Sequence, residues 1–299
     1  MAIVTAEIEK MNLPKLMKLF HSDERCRELL EVLRWPDGVA CPRCQDTKVW
    51  ETARSQYHCQ SCDYRFSVLA GTIFHDTKLP LQKWFLAVAI MVEAKKGISA
   101  NQMKRVLGVS YKTAWYLCHR IRAAMAEANV LSGTVEVDET YVGGKVRGRG
   151  RGYKGNKTIV AGAVQRGGPI VLQVVDDNGR HTLHGFIKDN TLPAVERIIT
   201  DEWPAYRGIA DGDTTHETVN HSQEEWVRDD VHTNTVESVW SLFKRSVTGS
   251  YHKLSAKHLD AYLDELEWRF NNRKNPYLFR DTLTKLLLAE RLEYRELTA

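Results

Sequence analysis

Three apolar runs of strand character in the second half of the chain, an acid-tipped fourth run and a late helix bearing another acid predict an α/β domain of ribonuclease-H-like architecture. Ahead of it, two Cys-x-x-Cys pairs predict a zinc ribbon. Between ribbon and α/β domain, three helical patterns split by a glycine turn predict a helix-turn-helix domain. The expected organisation is a helical segment over 1–35, the ribbon over 36–78, the helix-turn-helix over 79–130, the α/β domain over 131–250 and C-terminal helices over 251–299.

Bulk composition narrows the class only a little. A 43% hydrophobic and 27% charged content is that of an ordinary globular protein. No apolar run approaches the length of a membrane span, and Met-Ala-Ile-Val-Thr-Ala-Glu carries neither basic nor apolar signal character, so a cytoplasmic protein is expected. A net charge of +4 is a weak argument for nucleic acid. The distribution of that charge is more informative.

From 7 to 34 apolar residues recur at helical spacing, with His21-Ser-Asp marking a break and a new N-cap. Cys41-Pro-Arg-Cys44 is followed after fourteen residues by Cys59-Gln-Ser-Cys62. Each pair turns two thiolates toward one point, and two pairs complete a closed tetrahedral set, which is structural rather than catalytic. A redox pair or two disulfides are the rival readings. Short strands near 48–52, 56–58 and 64–68 complete the ribbon, while Cys26 and Cys118 fall in helical patterns as small buried residues. Helices are expected over 80–95, 99–107 and 111–128, the last two joined by Gly108-Val-Ser110. The third carries Lys112, Thr113, Tyr116 and Arg120, side chains able to meet phosphates or base edges; a plain three-helix packing unit is the alternative.

Strand patterns come next at 134–141, 158–165 and 169–175. Alternation places Val135 and Val137 on one face, with Glu136 and Asp138 on the other. The connection 143–157 holds Lys145, Arg147, Arg149, Arg151, Lys154 and Lys157 with many glycines and no acid, a composition suited to a phosphate backbone. Glu196–Asp201 reads as a fourth strand ending in a carboxylate, 216–220 as a fifth, and 235–246, 255–272 and 280–295 as helices. Candidate acids are Asp138, Asp201 and Glu237, the last two separated by 35 residues. Each has a rival: Glu136 shares the Asp138 face, Asp201 is placed to cap a helix starting near Trp203, and Glu237 with Asn234 fits a capping box. Asp176, Asp177, Asp229 and Asp230 are further candidates, so spacing alone leaves the site open.

A resemblance narrows it. From Cys41 to about Arg273 the chain resembles bacterial insertion-sequence transposases of the DDE type with an N-terminal zinc ribbon (insertion sequence family 1595). The resemblance rests on the two cysteine pairs, Gly71-Thr-Ile-Phe74, Lys112-Thr-Ala-Trp115 with His119-Arg-Ile-Arg122, and Val137-Asp-Glu-Thr-Tyr-Val-Gly-Gly144. It continues through Thr200-Asp-Glu202, His232-Thr-Asn-Thr-Val-Glu-Ser-Val-Trp240, Lys244-Arg245 and Arg269-Phe-Asn-Asn-Arg273. It implies an acid triad of Asp138, Asp201 and Glu237. Three carboxylates need cations, and hard oxygen ligands select Mg²⁺ or Mn²⁺, two ions being expected beside one structural Zn²⁺. Lys244 and Arg245 would contact phosphate. The implied partners are terminal inverted repeats and target DNA, with a homo-oligomer assembled on them. The competing expectations are a nuclease or resolvase that cuts without joining, and a DNA-binding regulator without catalysis.

Overall fold

The computed structural model describes residues 8–52, 55–143 and 157–299. The chain divides into two compact units, one made of 1–125 with 274–299 and the other of 126–273. No helix among the described residues is long and apolar enough to cross a membrane.

The first unit opens with α1 (Leu13–Leu19) and α2 (Asp23–Arg34). Ser22 separates them as the sequence expects, its hydroxyl accepting from the Arg25 amide at the start of α2. The ribbon is an antiparallel sheet of β1 (Val49–Thr52), β2 (Gln56–Cys59) and β3 (Arg65–Phe66). Its core is small: Cys41, Tyr57, Cys59, Phe66 and Ala70, with Trp35 packed alongside. Helices α3 (Leu81–Glu93), α4 (Ala100–Leu107) and α5 (Tyr111–Ala123) come next. Gly108 adopts the left-handed conformation that closes α4, and Ser110 caps α5 through the Thr113 amide.

The second unit holds a mixed five-stranded sheet. Its strands are β4 (Thr134–Val142), β5 (Thr158–Gln165), β6 (Ile170–Val175), β7 (Arg197–Thr200) and β8 (Thr215–Thr218), in the order β6-β5-β4-β7-β8. The first three form an antiparallel meander; β7 runs parallel to β4, and β8 parallel to β7. Such a sheet buries both faces. On one, Val135, Val137, Ile159 and Ala161 pack with Leu183, Phe186 and Ile187 of α6 (Arg180–Asn190). On the other, Val160, Val164 and Leu172 pack with Val236, Val239, Trp240 and Phe243 of α7 (Asn234–Ser246) and Leu263 and Leu266 of α8 (Leu259–Asn271). The alternation expected of β4 is therefore realised, its valines lying toward α6 and its acids at 136 and 138 toward α7.

The expected C-terminal block 251–299 divides between the units. Helix α8 stays with the sheet, whereas α9 (Leu278–Leu288) and α10 (Tyr294–Thr298) belong with the N-terminal helices. Phe279 of α9 packs its ring 5.7 Å from that of Phe85 and 6.4 Å from that of Phe20. These contacts join opposite ends of the chain, a closure that periodicity in the sequence does not encode.

Candidate active site

Asp138 lies mid-way along β4, directly opposite Gly162 of β5. The absent side chain at 162 makes room for Trp240, since a Cβ there would stand 2.5 Å from the indole. Trp240 then donates its Nε1–H to Asp138 Oδ2 at 3.0 Å. One turn earlier on the same helix is Glu237. Its Oε1 accepts from the Thr233 hydroxyl at 2.9 Å and lies 3.5 Å from His221 Nε2. The expected capping box with Asn234 does not form: Thr233, not Asn234, is the N-cap residue, and it makes no side-chain bond to the helix backbone. Asp201 sits just past the last residue of β7 and accepts from the Trp203 amide at 3.0 Å, which holds a short turn rather than a long helix.

Asp138, Glu139, Glu237, Lys244 and Arg245 border one cleft of about 560 Å³, with Trp240 in its wall. Burial pushes the Asp138 carboxyl up to about 7, and the neighbouring charges of Glu139 and Asp201 add to the rise. Burial also raises Glu139, although the Tyr206 hydroxyl donates to it at 2.6 Å, and raises Asp201. Asp138, Glu139 and Glu237 thus border one cleft, and Asp201 lies near enough for its charge to act on Asp138. The acids do not close tightly: among the described residues the four cysteines are the one group of three or more candidate ligands whose atoms all lie within 4.8 Å of one another.

The rival acids are otherwise engaged. Glu136 is 0% exposed and receives donors on both oxygens from Arg166, Thr235 and Val236. Asp230 grips Arg197 with both oxygens, and those hydrogen bonds hold its carboxyl down at about 2. Asp177 bonds the Gly179 amide and the Thr182 hydroxyl at the start of α6.

In the ribbon, Cys41 and Cys62 place their sulfurs 3.6 Å apart and Cys44 and Cys59 theirs 3.5 Å apart. Disulfide sulfurs would sit at about 2.05 Å, so neither pair is a disulfide. Four sulfurs at these spacings fit the edges of a tetrahedron with metal–sulfur distances of about 2.3 Å.

Two family profiles match this chain: an ISXO2-like transposase domain over residues 130–271 and a transposase zinc-ribbon domain over 21–65. A protein of Halobacterium salinarum, described as an uncharacterized protein in transposable element ISH50, is 31% identical over 276 residues. That similarity spans 85% of this chain and 92% of the relative. The chain belongs to the ISXO2-like transposase family.

In this transposase the ribbon is a zinc ribbon, and the mixed sheet is the ribonuclease-H-like core that a DDE domain implies. The residues expected to meet DNA are less uniformly placed. Lys244 and Arg245 are exposed on the cleft side of α7. Lys112 is exposed, its ammonium lying 4.2 Å from the centre of the Tyr294 ring. Thr113 shares a hydroxyl contact with Ser110, and Tyr116 donates its hydroxyl to the Leu292 carbonyl. Arg120 is only 6% exposed; it bonds the His75 carbonyl and lies over the rings of Trp84 and Tyr116. The expectation that Arg120 reaches DNA is therefore corrected: it is an interior residue, drawn in by two aromatic faces and a carbonyl. Lys145, Arg147, Arg149, Arg151 and Lys154 lie outside the described residues, and Lys157 is half-buried just before β5. Sequence reasoning overlooked Glu139 and His221. Glu139 borders the cleft beside Asp138, whereas His221 is brought to 3.5 Å from Glu237 only by the tertiary fold.

Proposed function

We propose that this transposase binds the terminal inverted repeats of its element, cuts to leave 3′-hydroxyl ends and joins those ends to target DNA. Asp138, Asp201 and Glu237 are the catalytic acids. The observation that carries this reading is the cleft in which Asp138 and Glu237 face Lys244 and Arg245, with Asp201 close enough to lift the Asp138 carboxyl.

Buried carboxylates raised by their own crowding are oxygen donors whose charge a divalent cation offsets. The three acids fit Mg²⁺ or Mn²⁺ in chemistry, and a pair of such ions would supply Lewis-acid stabilisation to a phosphoryl transfer. The chain's own groups do the rest. Trp240 fixes one Asp138 oxygen beside the cleft. Thr233 holds one Glu237 oxygen in the same way. Lys244 and Arg245, one turn beyond Trp240, meet the non-bridging phosphate oxygens and orient the strand. When water attacks, the phosphodiester breaks and a 3′-hydroxyl is released; when that hydroxyl attacks a second strand, one phosphodiester is exchanged for another. Both steps use one site, because both invert the same phosphorus geometry. Helices α4 and α5 and the ribbon are the sequence-reading elements, with basic residues 145–157 holding backbone. Two ends must meet, so the working assembly is at least a dimer.

Asp138→Ala should fold, retain zinc and bind inverted-repeat DNA. It should lose both end cleavage and joining of pre-cut ends by at least about 10³-fold, the scale expected when a transition-state charge partner is removed. Normal joining by Asp138→Ala would sink the assignment. Cleavage without joining in the unaltered protein would instead favour a nuclease.

A further inference from the structure

Strand β4 presents two acids to the same helix, and only one of them opens onto the cleft. The other, Glu136, is wholly enclosed. Its Oε1 accepts from Arg166 Nε and from the Thr235 hydroxyl, each at 2.8 Å. Its Oε2 accepts from the backbone amides of Thr235 at 2.7 Å and Val236 at 3.2 Å. Those two amides belong to the first turn of α7, where helical N–H groups have no partner inside the helix. A side chain on a strand thus does the work that a helix's own N-cap residue normally does. The residue in the N-cap position, Thr233, is thereby released, and its hydroxyl goes to Glu237 instead.

The remaining contacts of α7 with the sheet are mostly apolar, through Val236, Val239, Trp240 and Phe243. Apolar burial holds a helix down without fixing its register, since it has no direction. Hydrogen bonds to two successive amides do fix it. Arg166 extends the clamp by donating Nη2 to the His232 carbonyl at 3.1 Å, which ties the segment leading into the helix. Glu136 lies two residues from Asp138 along β4, and its partner Val236 adjoins Glu237 along α7. One ion-paired carboxylate therefore spans the strand and helix that carry two of the three catalytic acids.

We propose that Glu136, with Arg166, is a positioning residue that sets the register of helix α7 against β4 and so places Glu237 opposite Asp138. This rests on the reading of Asp138 and Glu237 as metal-holding acids. Glu136 binds no metal and contacts no DNA; it acts through Glu237. The carboxylate is needed rather than an amide, because its four acceptor directions meet only donors. A glutamine would turn an NH₂ group toward an amide or a guanidinium.

The test uses the full-length zinc-loaded protein. Glu136→Gln is checked for folding by circular dichroism and for inverted-repeat binding, and Mn²⁺ is then titrated into the protein–DNA complex and followed by electron paramagnetic resonance. The expected result is unchanged DNA affinity with Mn²⁺ affinity reduced by about 10- to 100-fold, the usual scale when a ligand-orienting partner is lost. The metal concentration for half-maximal cleavage should rise by the same factor. Wild-type Mn²⁺ binding and an unchanged metal profile in folded Glu136→Gln would overturn the proposal. If that variant does not fold, Thr235→Val removes a single donor and leaves the carboxylate in place. It should shift Mn²⁺ binding in the same direction by about threefold, in keeping with the loss of one modest hydrogen bond; no shift overturns the proposal. Asp138→Ala separates the two readings. If it loses Mn²⁺ while Glu136→Gln does not, only the clamp falls; if it retains Mn²⁺, the acid assignment falls with it.

Discussion

At the scale of single residues, the site depends on a position that has no side chain. Gly162 lets Trp240 lie against β5, and Trp240 in turn holds Asp138. Gly162→Ala forces a methyl group against a packed indole, and overpacking of this kind costs about 1–3 kcal/mol. The variant should show that loss in urea denaturation of the 126–273 unit and a fall in end cleavage; an unchanged midpoint with full cleavage would show that the indole has room to move. None of this was written in the local pattern. Alternation along β4 distinguished Glu136 and Asp138 from the valines, but it made the two acids equivalent. What separates them is tertiary: a helix end and an arginine meet one, an indole and the wall of a cleft meet the other.

At the scale of elements, the outer edge of the sheet is the telling case. Strand β6 is an edge strand, and exposed edge strands invite pairing with other chains. Helix α8 closes this one with side chains. Asn271 accepts from the Ile170 amide at 2.8 Å and donates to its carbonyl at 3.1 Å, while the Leu172 amide donates to Glu267. Burial pushes the Glu267 carboxyl from 4.5 up to about 8. The folded state therefore keeps this proton to higher pH than the unfolded chain does, so stability falls as pH rises through that interval. Glu267→Gln keeps the acceptor for Leu172 and removes the ionisation. It should flatten the decline and raise stability at pH 8.5 by several kcal/mol, about 4 as an upper bound, with little change at pH 4.5. Urea melts at the two pH values decide it, and a variant less stable at pH 8.5 would mean the charged form is the favoured one. The helix itself was readable from its apolar spacing. Its edge-sealing task was not, because Asn271 and Glu267 show their purpose only beside β6.

At the scale of the whole molecule, the ribbon's few core residues cannot hold its fold without metal, in keeping with small metal-dependent domains generally. Removing zinc with a strong chelator should release one ion per chain and expose the amides of residues 41–66 to hydrogen exchange. The amides of the 126–273 sheet should keep their protection. Retained protection in the ribbon without zinc would refute the structural role. The ribbon was legible because its chemistry is carried by residue type and short spacing, whereas the candidate acids were singled out only by the family resemblance. The split of the C-terminal helices between two units was not legible, since it is settled by Phe279 meeting Phe20 and Phe85 across most of the chain.

That long-range closure reaches into how the protein is made. Because α9 sits among the N-terminal helices, with the Ile73 amide donating to the Leu286 carbonyl, the first unit has to wait for residues near 286 before its interior is complete. A nascent chain still threaded through the ribosome lacks that helix, and a copy of the gene carrying a late stop codon never supplies it. Decay of the final stretch of the reading frame would leave the first unit without the helix that completes its interior.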